Sequence, residues 1–310
     1  MKEIAEDKNS GLKKAAVVKS AADRDAAEKE PVPKGGKKGG LVRVISVTSG
    51  KGGVGKTSCV VNIAISFAKK GKRVLVFDAD LGLCNLDVML GLSPKYNINH
   101  VLRGEKKIED VIIRGPGGIM VIPAASGISE LTNLNAEQRL SLASSMEMLD
   151  KDVDIMMIDT GAGISNNVMF FNTAAQEIVV VVTPEPTSLT DAYALMKVLM
   201  KKHGEKSFKL LVNTARGEKE GKNIYSIISL VASRFLNVSL EYLGCVVQDD
   251  KVSRAVINQR AVVEMFPDTP ASRCIKGISE KLLSMPAARD PKGGMQLFWK
   301  NMLNTQVDTL

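Results

Sequence analysis

The stretch SVTSGKGGVGKTSCVVN, Ser46–Asn62, decides the fold. Before it, LVRVISVTS (Leu41–Ser49) is a short run rich in β-branched and apolar residues, which reads as a strand. After it, SCVVNIAISFAKKG (Ser58–Gly71) has helical spacing and stops at a glycine. Between the two, Gly50–Thr57 fits G-x-x-x-x-G-K-[ST], a loop whose glycines let backbone N–H groups converge on phosphate oxygens. The helix start adds its dipole, Lys56 reaches the outer phosphates, and the Thr57 hydroxyl can hold Mg²⁺. Gly50, Gly52, Gly53, Val54, Gly55, Lys56, Thr57 and Ser58 are therefore expected to bind a nucleotide.

The same alternation continues along the chain. RVLVFDAD (Arg73–Asp80), GIMVIPA (Gly118–Ala124), DIMMIDT (Asp154–Thr160), EIVVVVT (Glu177–Thr183), FKLLVNTA (Phe208–Ala215) and LEYLGCVV (Leu240–Val247) read as six more strands. Helical patterns over Ala136–Leu149, Val168–Ala175, Ser188–Lys202 and Asn223–Phe235 lie between them. Near-continuous apolar strands separated by helices predict an α/β P-loop NTPase fold: a mostly parallel twisted sheet with helices on both faces. Ligands on such sheets bind beyond the carboxyl ends of the strands, so the loops after strands hold the candidate chemistry. Asp159 follows one apolar strand, where a carboxylate organises the Mg²⁺ shell. Asp78 and Asp80 end another, and Asp80 is placed to position an attacking water or to hold a metal-bound one.

Lys51 is not needed for a phosphate cradle that already has Lys56. A second lysine in KGGVGKT resembles the deviant Walker A loop of the MinD/ParA class of P-loop ATPases, and the resemblance runs from Val42 to Phe298. VFDADLGLCNLDVMLGL is similar to that class's switch I, IDTGAGIS to its Walker B and switch II, and TPEPTSLTDAYALMK to the segment after its fifth strand. The resemblance implies ATP and Mg²⁺ as cofactors, with Thr57, Asp80 and Asp159 around the metal and Asn213 of LVNTA reading adenine. It also implies that Lys51 reaches across a homodimer to the partner's nucleotide, with Lys51, Lys56 and Asp80 as the catalytic set. A cation supplied in trans would stabilise transition-state charge and couple hydrolysis, slow by itself, to dimerisation. DTGAGIS, LNVSLEYLG and GGMQLFWKNML most resemble the FlhG (FleN/YlxH) branch, regulators of flagellar number and placement. That branch implies as partners the GTPase FlhF, flagellar switch proteins and a flagellar transcription regulator. Two features depart from it. Residues 1–40 contain no DQAxxLR-like string of the kind that stimulates FlhF, and Cys245–Asp250 lacks the proline that relatives often carry before an acidic position.

The ends differ from the middle in composition. Residues 1–40 hold ten basic and seven acidic residues, no aromatic, and the Pro/Gly-rich PVPKGGKKGG, and are expected to form a disordered tail. Residues 41–290 form the expected ATPase domain, and 291–310 an amphipathic helix. Met295, Phe298, Trp299, Met302 and Leu303 share one helical face there, interrupted by Gln306. Two readings stand for that face: docking on the protein's own body, or reversible contact with an anionic membrane surface. The net charge of +8 suits an anionic partner, and a ParA-like DNA-partition role is the alternative from another class. The four cysteines are dispersed without a CxxC pair, which argues against a zinc or iron–sulfur site and for a reducing compartment. With no signal-peptide-like start and no long apolar run, the expected location is cytoplasmic, reversibly at the inner face of the cell membrane.

Overall fold

After its first residue, the strand Arg43–Ser49 (β1) is buried throughout, as the absence of polar/apolar alternation requires of a central parallel strand. The computed structural model describes residues 42–80, 85–123, 149 and 152–286. In these, β1 is followed by α1 (Lys56–Lys69), β2 (Val74–Ala79), the short α2 (Asn85–Leu90), α3 (Ile98–Leu102) and α4 (Ile108–Val111), then β3 (Ile113–Arg114) and β4 (Met120–Ile122). The second half runs β5 (Ile155–Ala162), α5 (Asn166–Ala174), β6 (Glu177–Val182), α6 (Pro186–His203), β7 (Ser207–Ala215), α7 (Glu218–Leu236) and β8 (Ser239–Val247). It closes with α8 (Asp250–Ile257), α9 (Val262–Met265) and α10 (Pro270–Ser284).

The strands form one sheet in the order β3-β4-β2-β5-β1-β6-β7-β8. All pairings are parallel except β3 with β4, a two-residue strand that the sequence reading did not anticipate. Strand β1 lies between β5 and β6. The chain leaves β1 over one face through α1 to β2, and leaves β6 over the other through α6 to β7. The loop after β1 thus opens at the switch point, where such sheets bind ligands. One apolar layer packs α1, α9 and α10 on the sheet through residues such as Val47, Val76, Met157 and Val181. On the opposite face, Leu75, Phe77 and Ile158 meet α3, α4 and α5, while Val180, Leu210 and Val212 meet α6 and α7. The helix expected over Ala136–Leu149 lies outside the described residues except for Leu149, which is buried. Residues 1–40 and the face formed by Met295, Phe298, Trp299, Met302 and Leu303 also lie outside them.

Two polar ties fix β1 against its neighbours. Ser46 donates to Asn172 Oδ1 at 2.8 Å, and Asn172 Nδ2 donates to Thr48 Oγ1 and to the Val168 carbonyl, so α5 is clamped just before the glycine loop. At the amino end, Arg43 pairs with the buried Glu177 and donates to the Leu282 carbonyl at 2.6 Å, which anchors the last turn of α10.

A second clasp joins the entries to β2 and β5. Arg73 donates through its backbone N–H and its guanidinium to Asp154, at 2.8 Å in each case. These hydrogen bonds hold the Asp154 carboxyl below the ordinary carboxylate range. A depressed carboxyl adds stability above its unfolded value and loses it as pH falls through the folded one. Asp154→Asn should therefore lower the urea midpoint at pH 7 by the equivalent of about 1 kcal/mol, because the pair is partly exposed. The gap between variant and wild type should close as the measurement is moved below pH 4.

Candidate functional site

The glycine loop is defined by what stands against it. A Cβ at Gly50 would lie 2.2 Å from the Asp191 carbonyl carbon and 2.6 Å from the Ala192 nitrogen, so the loop rests directly on the backbone of α6. Gly53 and Gly55 have φ of 80° and 83°, the left-handed region that favours glycine. A Cβ at Gly55 would also meet Asn213 Nδ2 at 2.3 Å. That amide donates to the Val54 carbonyl at 2.8 Å, so the strand-end Asn213 braces the loop from β7. Added side-chain carbons at Gly52 and Gly53 would meet nothing within 4 Å, which leaves that side of the loop open.

Below the loop lies a buried ion pair. Lys56 Nζ stands 2.6 Å from Asp159 Oδ1, with both side chains almost fully enclosed. Burial pushes the Asp159 carboxyl up, while Lys56 and a hydrogen bond from Thr57 pull it down. Asp78 pairs in register with Asp159 across β2 and β5. Burial first, and then the Asp159 charge, raise its carboxyl to about 8, although the Asp80 backbone N–H donates to it at 3.1 Å. Asp80 is half-buried, and its carboxylate faces Gly161 at the end of β5. Asp159 thus holds the buried lysine, with Asp78 beside it one strand away and Asp80 at the rim. Among the described residues, no group of three acid, histidine or cysteine side chains is arranged to hold a metal by itself. The donors present, the Thr57 hydroxyl and carboxylate oxygens, suit a hard cation that takes its remaining ligands from phosphate and water. Cys59, on α1 under the loop, is held protonated: burial, then Asp159, lift its thiol to about 12.

Lys51 points away from this pair. Its Nζ contacts Glu185 Oε2 at 2.8 Å and Thr187 Oγ1 at 3.2 Å, at the start of α6, with about 40% of its side chain exposed. The structure thus brings Lys51, Lys56, Thr57, Asp80, Asp159 and Asn213 to one rim of the sheet. It adds Glu185, Thr187 and the Asp191–Ala192 backbone, to which the sequence reading gave no role. TPEPTS, following an apolar strand, was the available signal. The residues that continue the loop after Asp80, 81–84, lie outside those described.

A family model described as an AAA domain matches residues 42–210. The antiactivator FleN of Pseudomonas aeruginosa is 43% identical over 262 residues, 84% of this chain and 94% of that protein. The flagellum site-determining protein YlxH of Helicobacter pylori is 35% identical over 268 residues, 85% of this chain and 90% of that protein. A chain of the MinC:MinD cell division protein complex of Aquifex aeolicus has the same fold, with a TM-score of 0.64 and 28% identity over 80% of this chain and 99% of that one. The chain belongs to the MinD/ParA family of P-loop ATPases. Its place beside FleN and YlxH agrees with the FlhG-like submotifs, and the eight-stranded sheet agrees with the expected fold class.

For this MinD/ParA ATPase, the contacts around the loop order the effects of two substitutions. Asn213→Ala removes one hydrogen bond from the loop and should weaken ATP binding about fivefold. Gly50→Ala forces the loop off α6 and should weaken it more. Titration with a fluorescent ATP analogue measures both, and a Gly50→Ala protein binding as well as wild type would contradict the packing argument.

Proposed function

We propose that the chain is a dimerising ATPase switch that sets flagellar number or placement, attaching reversibly to membrane in its ATP state. The observation that carries the dimer is the division of labour between the two loop lysines. Lys56 is enclosed and already paired beneath the loop, where it can serve its own nucleotide. Lys51 sits at the surface with its ammonium held by Glu185 and Thr187, available to a site outside its own cradle.

On this reading, the backbone N–H groups of Gly50–Thr57 and the start of α1 bind the phosphates, and Lys56 moves from Asp159 towards them. Thr57, Asp80 and Asp159 would hold Mg²⁺, which would neutralise phosphate charge. Asp80 orients the attacking water, and Asn213 supports both the loop and the base. The partner's Lys51 would leave Glu185 to stabilise charge on the transferred phosphoryl group, so a lone subunit turns over slowly. FleN and YlxH supply the flagellar part by similarity, and the C-terminal amphipathic pattern supplies the membrane part. FlhF, switch-complex proteins and a transcription regulator are the corresponding partner candidates.

Lys51→Ala should keep ATP affinity within a few-fold and lower hydrolysis by at least about a hundredfold, below the range measured for trans-acting cations. Asp80→Ala should elute as a dimer with ATP and Mg²⁺ and as a monomer with ADP. An Asp80→Ala protein that stays monomeric with ATP, or a Lys51→Ala protein with normal turnover, overturns the switch. Flagella counted in a deletion strain test the biological assignment, which normal number and placement would refute.

A further inference from the structure

The rim of the sheet opposite the nucleotide loop carries chemistry that ATP hydrolysis does not use. Helix α6 starts at the Lys51 contact and runs 18 residues, about 27 Å, to the amino ends of the strands. There Lys201, Lys202 and His203 fill its last turn, and Lys206 follows before β7; all four are exposed. Over residues 197–206, four lysines face one acid, Glu205. The Lys206 carbonyl accepts from the Ser239 backbone N–H at 2.7 Å, which brings this cluster beside the end of α7. Arg234 is exposed there and lies over the Phe235 ring, 5.5 Å from its centroid. Phe235 is 65% exposed. Among the described residues, Lys201, Lys202, Lys206 and Arg234 enter no ion pair.

Helix dipoles account for part of this. A cation in the last turn of a helix is favoured by the dipole, and α1 and α10 likewise end with Lys69 and Lys281. The dipole gives no reason to leave a phenylalanine in water beside Arg234. Exposed lysines on the same rim as an exposed aromatic side chain match an anionic lipid interface, where the apolar group enters the headgroup layer and the lysines meet phosphate. The position fits as well. The last turn of α10 is fixed on the same rim by Arg43 on the Leu282 carbonyl and by Lys281 on the Tyr242 carbonyl. In the sequence, the amphipathic pattern that begins at Met295 follows α10.

We infer that Lys201, Lys202, Lys206, Arg234 and Phe235 form a second membrane contact, built into the ATPase domain and selective for anionic phospholipid. This rests on the membrane part of the proposed function. A single amphipathic helix binds weakly, and a fixed basic surface on the domain supplies the second attachment that stable anchoring requires.

The test is co-sedimentation of the full chain, with ATP and Mg²⁺, on phosphatidylglycerol-containing and on pure phosphatidylcholine vesicles. Each lysine near an anionic surface contributes about 1 kcal/mol, so Lys201→Gln with Lys202→Gln should lower partitioning onto the anionic vesicles about thirtyfold. Binding to phosphatidylcholine and basal ATPase should stay unchanged, the latter reporting an intact fold. Phe235→Ser should weaken binding to both vesicle types. Wild type that binds while the lysine variant binds equally well overturns the rim contact and leaves the membrane reading standing. Wild type that binds no vesicle removes both. Loss of duplex DNA binding in the lysine variant, with lipid binding intact, would reassign the surface to nucleic acid.

Discussion

The buried pair of Lys56 and Asp159, 2.6 Å apart, is the constraint from which the site follows. Two charges taken out of water repay their desolvation only with close geometry and further hydrogen bonds. That geometry requires β1 and β5 to be neighbours, in the register that sets Val47 opposite Asp159. It requires the loop to deliver Lys56 to the first position of α1. It also requires α5 to be clamped on β1 by Asn172, because a shift of β1 would carry the loop with it. The chain order forces a crossover for this: β5, far along the sequence, must insert between β1 and β2.

The same pair explains why the neighbouring acids behave differently. Asp159 has a cation and the Thr57 hydroxyl, whereas Asp78, one strand away, has chiefly a backbone N–H. Enclosed beside a second carboxylate, Asp78 favours its protonated form at neutral pH. Asp80, two residues on, has left the strand and is half-buried at the rim. Of the two DAD carboxylates, then, one is enclosed in the sheet and the other faces the site, although the sequence presents them as near equivalents.

Much of this was legible because it is local. Seven strands announced themselves as apolar runs, and the glycine loop with its lysine and threonine is one contiguous string. What could not be read is what folding brings together. Glu185 and Thr187 stand 134 and 136 residues from Lys51, and nothing in TPEPTS says which loop it will face. The need for glycine at position 50 comes from the backbone of α6, and the bond from Asn213 to Val54 spans 159 residues. The resemblance puts Asn213 at the base, whereas the contact the structure shows for it is the one that braces the loop. Strand β3 is two residues long, too short to carry a pattern, whereas α8 and α10 do carry an amphipathic helical pattern, and Thr269–Pro270 is a helix-start signal that the sequence reading does not use.

A parallel α/β sheet also sorts charge by its construction. Every helix that follows a strand begins at the carboxyl rim and ends at the amino rim, so the positive ends of the dipoles gather on one side and the negative ends on the other. The carboxyl rim thereby becomes a place for phosphate, and carboxylates can be kept there only if a buried lysine or a metal offsets them, as Lys56 does. The amino rim, by the same geometry, tolerates cations at little cost, and the last turns of α1, α6, α7 and α10 all carry one. Selection for an anionic partner on that side would need only to add lysines where the fold already accepts them and to leave a few apolar side chains uncovered. Helix α6 spans both rims, with Glu185 meeting Lys51 at one end and Lys201 and Lys202 exposed at the other. A packed helix moves as a unit, so any change at the Lys51 contact that shifts α6 must also shift the basic surface at its far end.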